Sequence, residues 1–539
     1  LEEGPRVSVE EVVVLGASAL IPNALRGRLA IQPGAPLDPF QLDEDRRRIL
    51  EDLADLGHWQ ARAAANVQFF GDRAHVFYRL TEGEPVRVDT VRITGLENVS
   101  DGLARRAVAV KPGELLRLKD LKQTQIWLLQ SDLFVDARWD TAAMDTTADR
   151  VSVQLDLRER KMARVEGGVG ISSQEQVRAG LGWYSRNFLG SGLRFGVSTR
   201  ADLDFTGRLG SAIDEWRLES FLNIPHSFGS RWEVQPSVSY VLDRGLITVS
   251  NIAGTEIARG LFEQDIAGVA LSTRRVLGDP RNQVVFALEN RWVFNSADSV
   301  AMENDPQLFR ESYVTRSLSG RLDLDRRNDF FEPTRGGYYS LFVERAGGAL
   351  GGNNSFLKAS AGLAQFGLPP HGGPVFAARI GGGWIDAKPT GVLGNRPLNA
   401  PVEAVPVEDR FFLGEATTIR GNLQDELNGA LGTSSAIPGG LLQLVLGVES
   451  RIHLTGRLGM VLFLDAGNVW QDVGDLTWKR FVPQGSPANV SPTDVRYAFG
   501  VGARFRTPLG PVRLDYARKW NHLPGEDPDR VHFAIGHAF

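Results

Sequence analysis

The chain has 539 residues, too many for one ordinary domain, and a net charge of −5 that gives no support to nucleic-acid binding. It is 42% hydrophobic with 59 Gly, 28 Phe and 11 Trp, and no apolar run approaches the ~18 to 20 residues of a spanning helix, so a helical membrane protein is excluded. The absence of Cys excludes disulfides, thiolate metal ligands and cysteine nucleophiles. The opening Leu1-Glu2-Glu3-Gly4 is neither an initiator Met nor a signal peptide, so a processed or trimmed N-terminus is expected, with a further module upstream of Gly4-Pro5.

The first 160 residues contain an internal repeat. VSVEEVVVLG (Val7 to Gly16) aligns with VRVDTVRITG (Val86 to Gly95), and the same offset of 79 carries Ile31-Gln32-Pro33-Gly34 onto Val110-Lys111-Pro112-Gly113. Each copy reads as a strand, a short helix, a longer amphipathic helix (Gln41 to Leu56; Leu118 to Leu133) and two alternating strands. In the second copy these strands are Val135 to Thr141 and Val151 to Leu157. The expected units are two β-α-α-β-β modules, at residues 1–82 and 83–160.

From Lys161 onward the helical period disappears. Apolar and charged residues alternate: Trp216, Leu218 and Leu222 with Arg217 and Glu219; Leu322 and Leu324 with Arg321, Asp323 and Asp325; Val512, Leu514 and Tyr516 with Arg513 and Asp515. A charge at every second position cannot face lipid, where a midplane Arg or Lys costs ~2 to 4 kcal/mol, so these residues are expected to face a polar lumen. Short turns (NFLGSG, NIPHSFGS, LGDPRN, FEPTRGG, GLPPHGG, LTGR, TPLGP) alternate with longer stretches near 242–260, 295–311, 386–439, 471–493 and 520–530. That asymmetry predicts about sixteen strands with short periplasmic turns and long outer loops. The chain ends in VHFAIGHAF, with Val531, Phe533, Ile535, His537 and Phe539 on one face and Ala534, Gly536 and Ala538 on the other; a strand so flat and apolar must be paired, and closure into a barrel supplies the partner.

The longest loop, 386–439, carries FFLGEATTIRGN. Its Arg420-Gly421 pair has two candidate partners at inward positions of the following strands, Glu449 and Asp465. An Arg carried into a lumen by a loop is desolvated by the walls and is best held by a carboxylate in a two-bonded contact. The alternative reading is that all three are ordinary lumen charges. No HExxH or GxSxG occurs, and the glycine-rich GGVGIS has no helix after it, so no enzyme or phosphate-binding site is expected. Glycines in that first strand instead weaken its pairing.

FFLGEATTIRGN and FLDAGNVW resemble paired motifs of the outer-membrane assembly (BamA/TamA) and two-partner secretion superfamily. YSRNFLGSGLRFG, DLDRRNDFFEPTRGGYY, GVGARFRTPLGPVRLDYA and the terminal strand agree in order. The tandem N-terminal units resemble POTRA domains. The resemblance implies an α+β pair of POTRA domains followed by an antiparallel 16-stranded transmembrane β-barrel over 161–539, closest to the TamA type although that type has three such units. By it Arg420 would pair with Asp465 and Glu449 to lock the loop in the lumen. The first strand (Val165, Gly167, Gly168, Gly170) and the last (Phe533, Ile535, Gly536, Phe539) would meet at a seam that opens sideways. One departure is Asn422, where the family usually has an aromatic residue.

The implied function is insertion of unfolded outer-membrane protein clients into the lipid bilayer, with N-terminal domains in the periplasm and a periplasm-spanning TamB-like partner, and with no cofactor. A two-partner secretion exporter and a passive porin are the competing readings. The porin leaves the repeat unexplained, and an outer-membrane hydrolase lacks a nucleophile and base.

Overall fold

The computed structural model describes residues 7–16, 28–140, 149–171, 176–204, 213–227, 232–250, 256–299, 310–330, 332–367, 373–388, 392–393, 396–398, 400–414, 417–423, 425–427, 429, 438–482, 489–507 and 510–535. It divides into two compact units, 1–163 with 185–193, and 164–184 with 194–539.

The N-terminal unit holds two three-stranded sheets. In the first, β1 (Ser8–Leu15) lies parallel to β3 (Arg73–Thr81), which pairs antiparallel with β2 (Arg62–Phe70). Helix α1 (Pro39–Asp55) starts where Asp38 accepts a hydrogen bond from Phe40 N and Pro39 fits the first turn. It buries Asp45, Ile49 and Leu53, one face at a spacing of four. The second sheet repeats the order with β4 (Arg87–Thr94) parallel to β6 (Arg150–Glu159) and β5 (Phe134–Trp139) antiparallel, packed under α2 (Asp101–Arg105) and α3 (Leu118–Gln130). The short helix expected in the first copy falls on residues outside those described.

The offset of 79 is kept at the level of single hydrogen bonds. Gly34 N donates to Val9 O and Gly113 N to Val88 O; Leu37 N donates to Val7 O and Leu116 N to Val86 O. Asp45 accepts from Ala30 N at 2.6 Å, and its counterpart Thr124 accepts from Ala109 N at 2.9 Å. Gly16 and Gly95 end the two first strands, each at φ +78°, with a carbonyl oxygen (Leu80 O, Leu157 O) where a Cβ would stand.

The second unit is one antiparallel sheet of sixteen strands: β7 (Ala163–Ile171), β8 (Gln176–Phe188), β9 (Leu193–Asp204), β10 (Ile213–Ser227), β11 (Trp232–Ser250), β12 (Glu256–Leu277), β13 (Asp279–Ala297), β14 (Ser312–Asp325), β15 (Gly336–Ala346), β16 (Phe356–Gly367), β17 (Val375–Ala387), then β20 (Leu442–Thr455), β21 (Leu458–Trp470), β22 (Arg496–Thr507), β23 (Gly510–Lys519) and β24 (Asp529–Ile535). A two-stranded hairpin, β18 (Val392–Leu393) and β19 (Arg396–Pro397), sits within the long loop between β17 and β20. Every strand of the sheet neighbours its predecessor in this list, and β7 and β24 stand at the two ends of the order.

The burial pattern is inverted relative to a soluble sheet. On β23 Leu514 and Tyr516 are exposed while Arg513, Asp515 and Lys519 are buried; on β21 Leu462 and Leu464 are exposed while Phe463 and Asp465 are buried. Lipid is the solvent for such an apolar exterior. Among the described residues no helix is long and apolar enough to cross a membrane, which says nothing of strands.

One expectation fails. Within the stretch 242–260, residues 242–250 and 256–260 are strand and not loop: β11 and β12 stay paired from Trp232↔Arg275 to Ser250↔Glu256. A tilted strand needs only ~9 to 11 residues to cross, so this hairpin runs well past the bilayer.

Candidate functional site: the inward loop and the strand seam

The loop between β17 and β20 has a core of its own. Val402, Val405, Phe411, Leu413, Ile419 and Leu427 pack with Phe356, Ile385, Val469 and Ala498 of the wall strands. Arg410 closes the loop on itself, its Nε donating to Val405 O and its Nη1 to Pro438 O, each at 2.9 Å.

At the tip the structure brings together all four residues expected there. Arg420 is 2% exposed and Asp465 0%. Nε and Nη2 of Arg420 donate to the two oxygens of Asp465 at 2.6 and 2.9 Å, and Nη1 donates to Glu449 Oε1 at 2.8 Å. The guanidinium also lies 3.5 Å from the ring centroid of Phe463, one inward position before Asp465 on β21. Gly421 takes φ +93°, a turn that favours glycine, and a Cβ there would meet Ala498, Ala517 and Lys519 at 3.5 Å. Asn422 is buried, and its Nδ2 donates to Ile419 O at 3.3 Å, so it closes the turn where an aromatic was expected.

Several partners escaped the sequence reading. Arg379 on β17 reaches Asp465 Oδ1 at 3.4 Å and donates to the carbonyls of Thr417 and Thr418. Its path depends on Gly447, where a Cβ would stand 2.6 Å from Arg379 Nε. Arg451 Nε donates to Glu449 Oε2 at 2.9 Å, and Lys519 Nζ on β23 to Glu426 Oε1 of the loop at 2.6 Å. On β24, His532 Nε2 accepts from Gly421 N at 2.9 Å.

A second anchor lies earlier in the loop, with the charges reversed. Here the loop supplies carboxylates and the wall supplies cations. Asp409 accepts from Arg291 Nη2 on β13 at 2.8 and 3.0 Å, and its backbone carbonyl accepts from Lys358 Nζ on β16 at 2.8 Å. Glu408 accepts from Tyr313 Oη on β14 at 2.8 and 3.0 Å. Polar side chains of β13, β14, β16, β17, β20, β21, β23 and β24 thus all reach one loop, which is the geometry of a barrel around its lumen.

At the seam, Val165, Gly167 and Gly168 on β7 are exposed, Val165 to 69%, and Gly170 is half-buried. Phe533 on β24 is half-buried, Ile535 ends the strand, and Gly536 and Phe539 lie outside the described residues. Among the described residues no ladder joins β7 to β24. Nor, among those residues, are three His, Asp or Glu side chains grouped to hold a metal ion.

A sixteen-stranded antiparallel barrel with an apolar exterior, a charged lumen, an inward loop and β-α-α-β-β modules before it defines an outer-membrane β-barrel protein with POTRA modules. The chain belongs to the Omp85 superfamily: residues 161–539 match the Omp85 superfamily domain, and residues 7–83 match the POTRA family described as surface antigen variable number repeat. Membership sets the barrel in the outer membrane and the POTRA modules in the periplasm. The outer membrane protein assembly factor BamA of Nitratidesulfovibrio vulgaris is 22% identical over 515 residues, 93% of this chain; the chain spans 58% of that relative's length. The crystal structure of BamA from Haemophilus ducreyi lacking POTRA domains 1–3 shares the fold with a TM-score of 0.73 at 16% identity, covering 98% of this chain and 99% of that one. CdiB from Escherichia coli scores 0.48 at 14% identity, over 99% of this chain and 91% of its own.

Proposed function

We propose that this chain inserts outer-membrane β-barrel proteins into the bilayer. In this reading the periplasmic modules hold an unfolded client by adding its strand to a sheet edge, and the barrel opens between β7 and β24 to pair with the client's strands. The observation that carries the proposal is the seam: β7 is exposed and rich in glycine, and no ladder joins it to β24 among the described residues. In lipid an unpaired strand edge costs several kcal/mol for each unsatisfied group, so such an edge favours pairing with an incoming strand. The Arg420, Asp465 and Glu449 contact is the lock that holds the loop in the lumen while this happens, and a periplasm-spanning TamB-like protein is the proposed partner of the modules.

The chain has no native Cys, so a disulfide can be placed cleanly. With Gly167→Cys on β7 and Phe533→Cys on β24, oxidation is expected to stop insertion of an unfolded barrel client in proteoliposomes, and reduction to restore it. Full insertion by the tethered form overturns the seam mechanism. Export of a soluble substrate through the tethered barrel identifies a two-partner secretion exporter instead.

A further inference from the structure

The last strand is held unevenly. On one side β24 pairs with β23 over seven residues, from Asp529↔Arg518 to Ile535↔Val512. On the other side no ladder joins it among the described residues. Its outward Val531 is exposed, and its inward His532 is buried at 2% exposure against the tip of the loop. There Nε2 of His532 accepts from the backbone N–H of Gly421 at 2.9 Å, which sets the imidazole proton on Nδ1.

The donor cannot shift independently of the lock. Gly421 follows Arg420 directly, its turn is set by φ +93°, and a Cβ there would stand 3.5 Å from Ala498 and Ala517 on β22 and β23. The Arg420 N–H itself points to Asp465 Oδ2 at 3.3 Å. A loop that leaves Asp465 therefore carries the Gly421 N–H away from His532. A β24 that swings out leaves that buried N–H without its acceptor, which disfavours the docked loop.

We propose that His532 is a latch residue, coupling the docked loop to the last strand so that release of one favours release of the other. The inference rests on the seam proposed above, and names the residue through which loop position reaches it. His532 acts by position, through the Gly421 N–H, and touches no client.

The test uses the full chain in nanodiscs without any client. Spin labels at Val165→Cys and Val531→Cys report seam width, and single-channel conductance reports the loop. His532→Phe keeps the ring and removes the acceptor; it is expected to shift the seam distance upward by about one strand spacing, ~5 Å, and to raise conductance. His532→Gln, whose amide oxygen can accept the same bond, should restore both readings. Should His532→Phe fail to fold, His532→Asn, too short to reach Gly421, is expected to behave as the unlatched form.

Coupling is read in an Arg420→Ala background. With the loop already released, His532→Phe should add no further widening. The latch is overturned if His532→Phe and His532→Asn leave seam distance and conductance at their starting values, or if the widening is the same with and without Arg420. Failure of the client-insertion block in the tethered barrel, by contrast, would strike the seam mechanism and leave these distances unaffected.

Discussion

Arg420 and Asp465 meet through two parallel hydrogen bonds at 2.6 and 2.9 Å, both side chains shielded from water, although 45 residues separate them in the chain. A buried pair of this kind contributes little over an apolar substitute but is costly to break from one side, because the surviving charge stays buried.

Asp465→Ala removes the two-bonded partner of the buried Arg420, leaving Glu449 as its hydrogen-bonded carboxylate, and should destabilise the docked loop by about 3 to 5 kcal/mol. Glu449→Gln keeps a hydrogen-bond acceptor beside Arg420 and should cost less. Planar-bilayer conductance and resistance of the folded barrel to heating in detergent rank the two; equal effects would mean that the fork to Asp465 is not the main hold.

The second anchor should act as a unit. Arg291→Met and Asp409→Asn each expose part of the same contact, so the double variant should be less damaged than the sum, with a coupling of about 0.5 to 3 kcal/mol. A thermodynamic cycle on loop release, followed by protease access to the loop, measures it. Strict additivity would show two independent charges.

Gly95 and Gly113 separate steric clash from backbone strain. Both have positive φ, but a Cβ at Gly95 would sit 1.9 Å from Leu157 O, whereas at Gly113 nothing lies within 4 Å. Gly113→Ala should cost ~1 to 2 kcal/mol, the left-handed penalty alone. Gly95→Ala should cost more and make residues 83–160 sensitive to protease while the barrel keeps its mobility on a gel.

The second module should weaken in acid through Glu159. Burial of its carboxyl pushes the pKa up, but hydrogen bonds from the N–H groups of Glu97, Val99 and Asn98 outweigh this and hold it below the usual 4.5. A lowered folded-state pKa gives stability that is complete above 4.5 and is lost as pH falls through the folded value. Glu159→Gln should flatten the acid limb of the module's unfolding, followed by protease sensitivity from pH 6 to pH 3. An unchanged limb would assign acid sensitivity to other carboxylates.

Much of this was legible in the sequence because strand parity is rigid. Alternation alone put Val531 and Phe533 on one face and Ala534 on the other; His532 shares the parity of Ala534 and is buried. The repeat offset held because buried positions such as Asp45 and Thr124 kept their backbone partners. Pairings across the lumen left no such trace. Arg291 and Asp409 are 118 residues apart, and each looks like one more inward charge until the loop is folded in. The strand residues at 242–250 and 256–260 left no clear trace either: the stretch stood out only by its length among the connections, whereas the ladder continues past Gly245 to Ser250↔Glu256.

The reversed polarity of the two anchors determines more than strength. A loop inserted the wrong way round would part Arg420 from Asp465 and Glu449 and bring it toward Arg291 and Lys358, setting like charges together at that end. The wall is thereby keyed by charge: the basic residues beside Asp409 disfavour the reversed orientation of the loop.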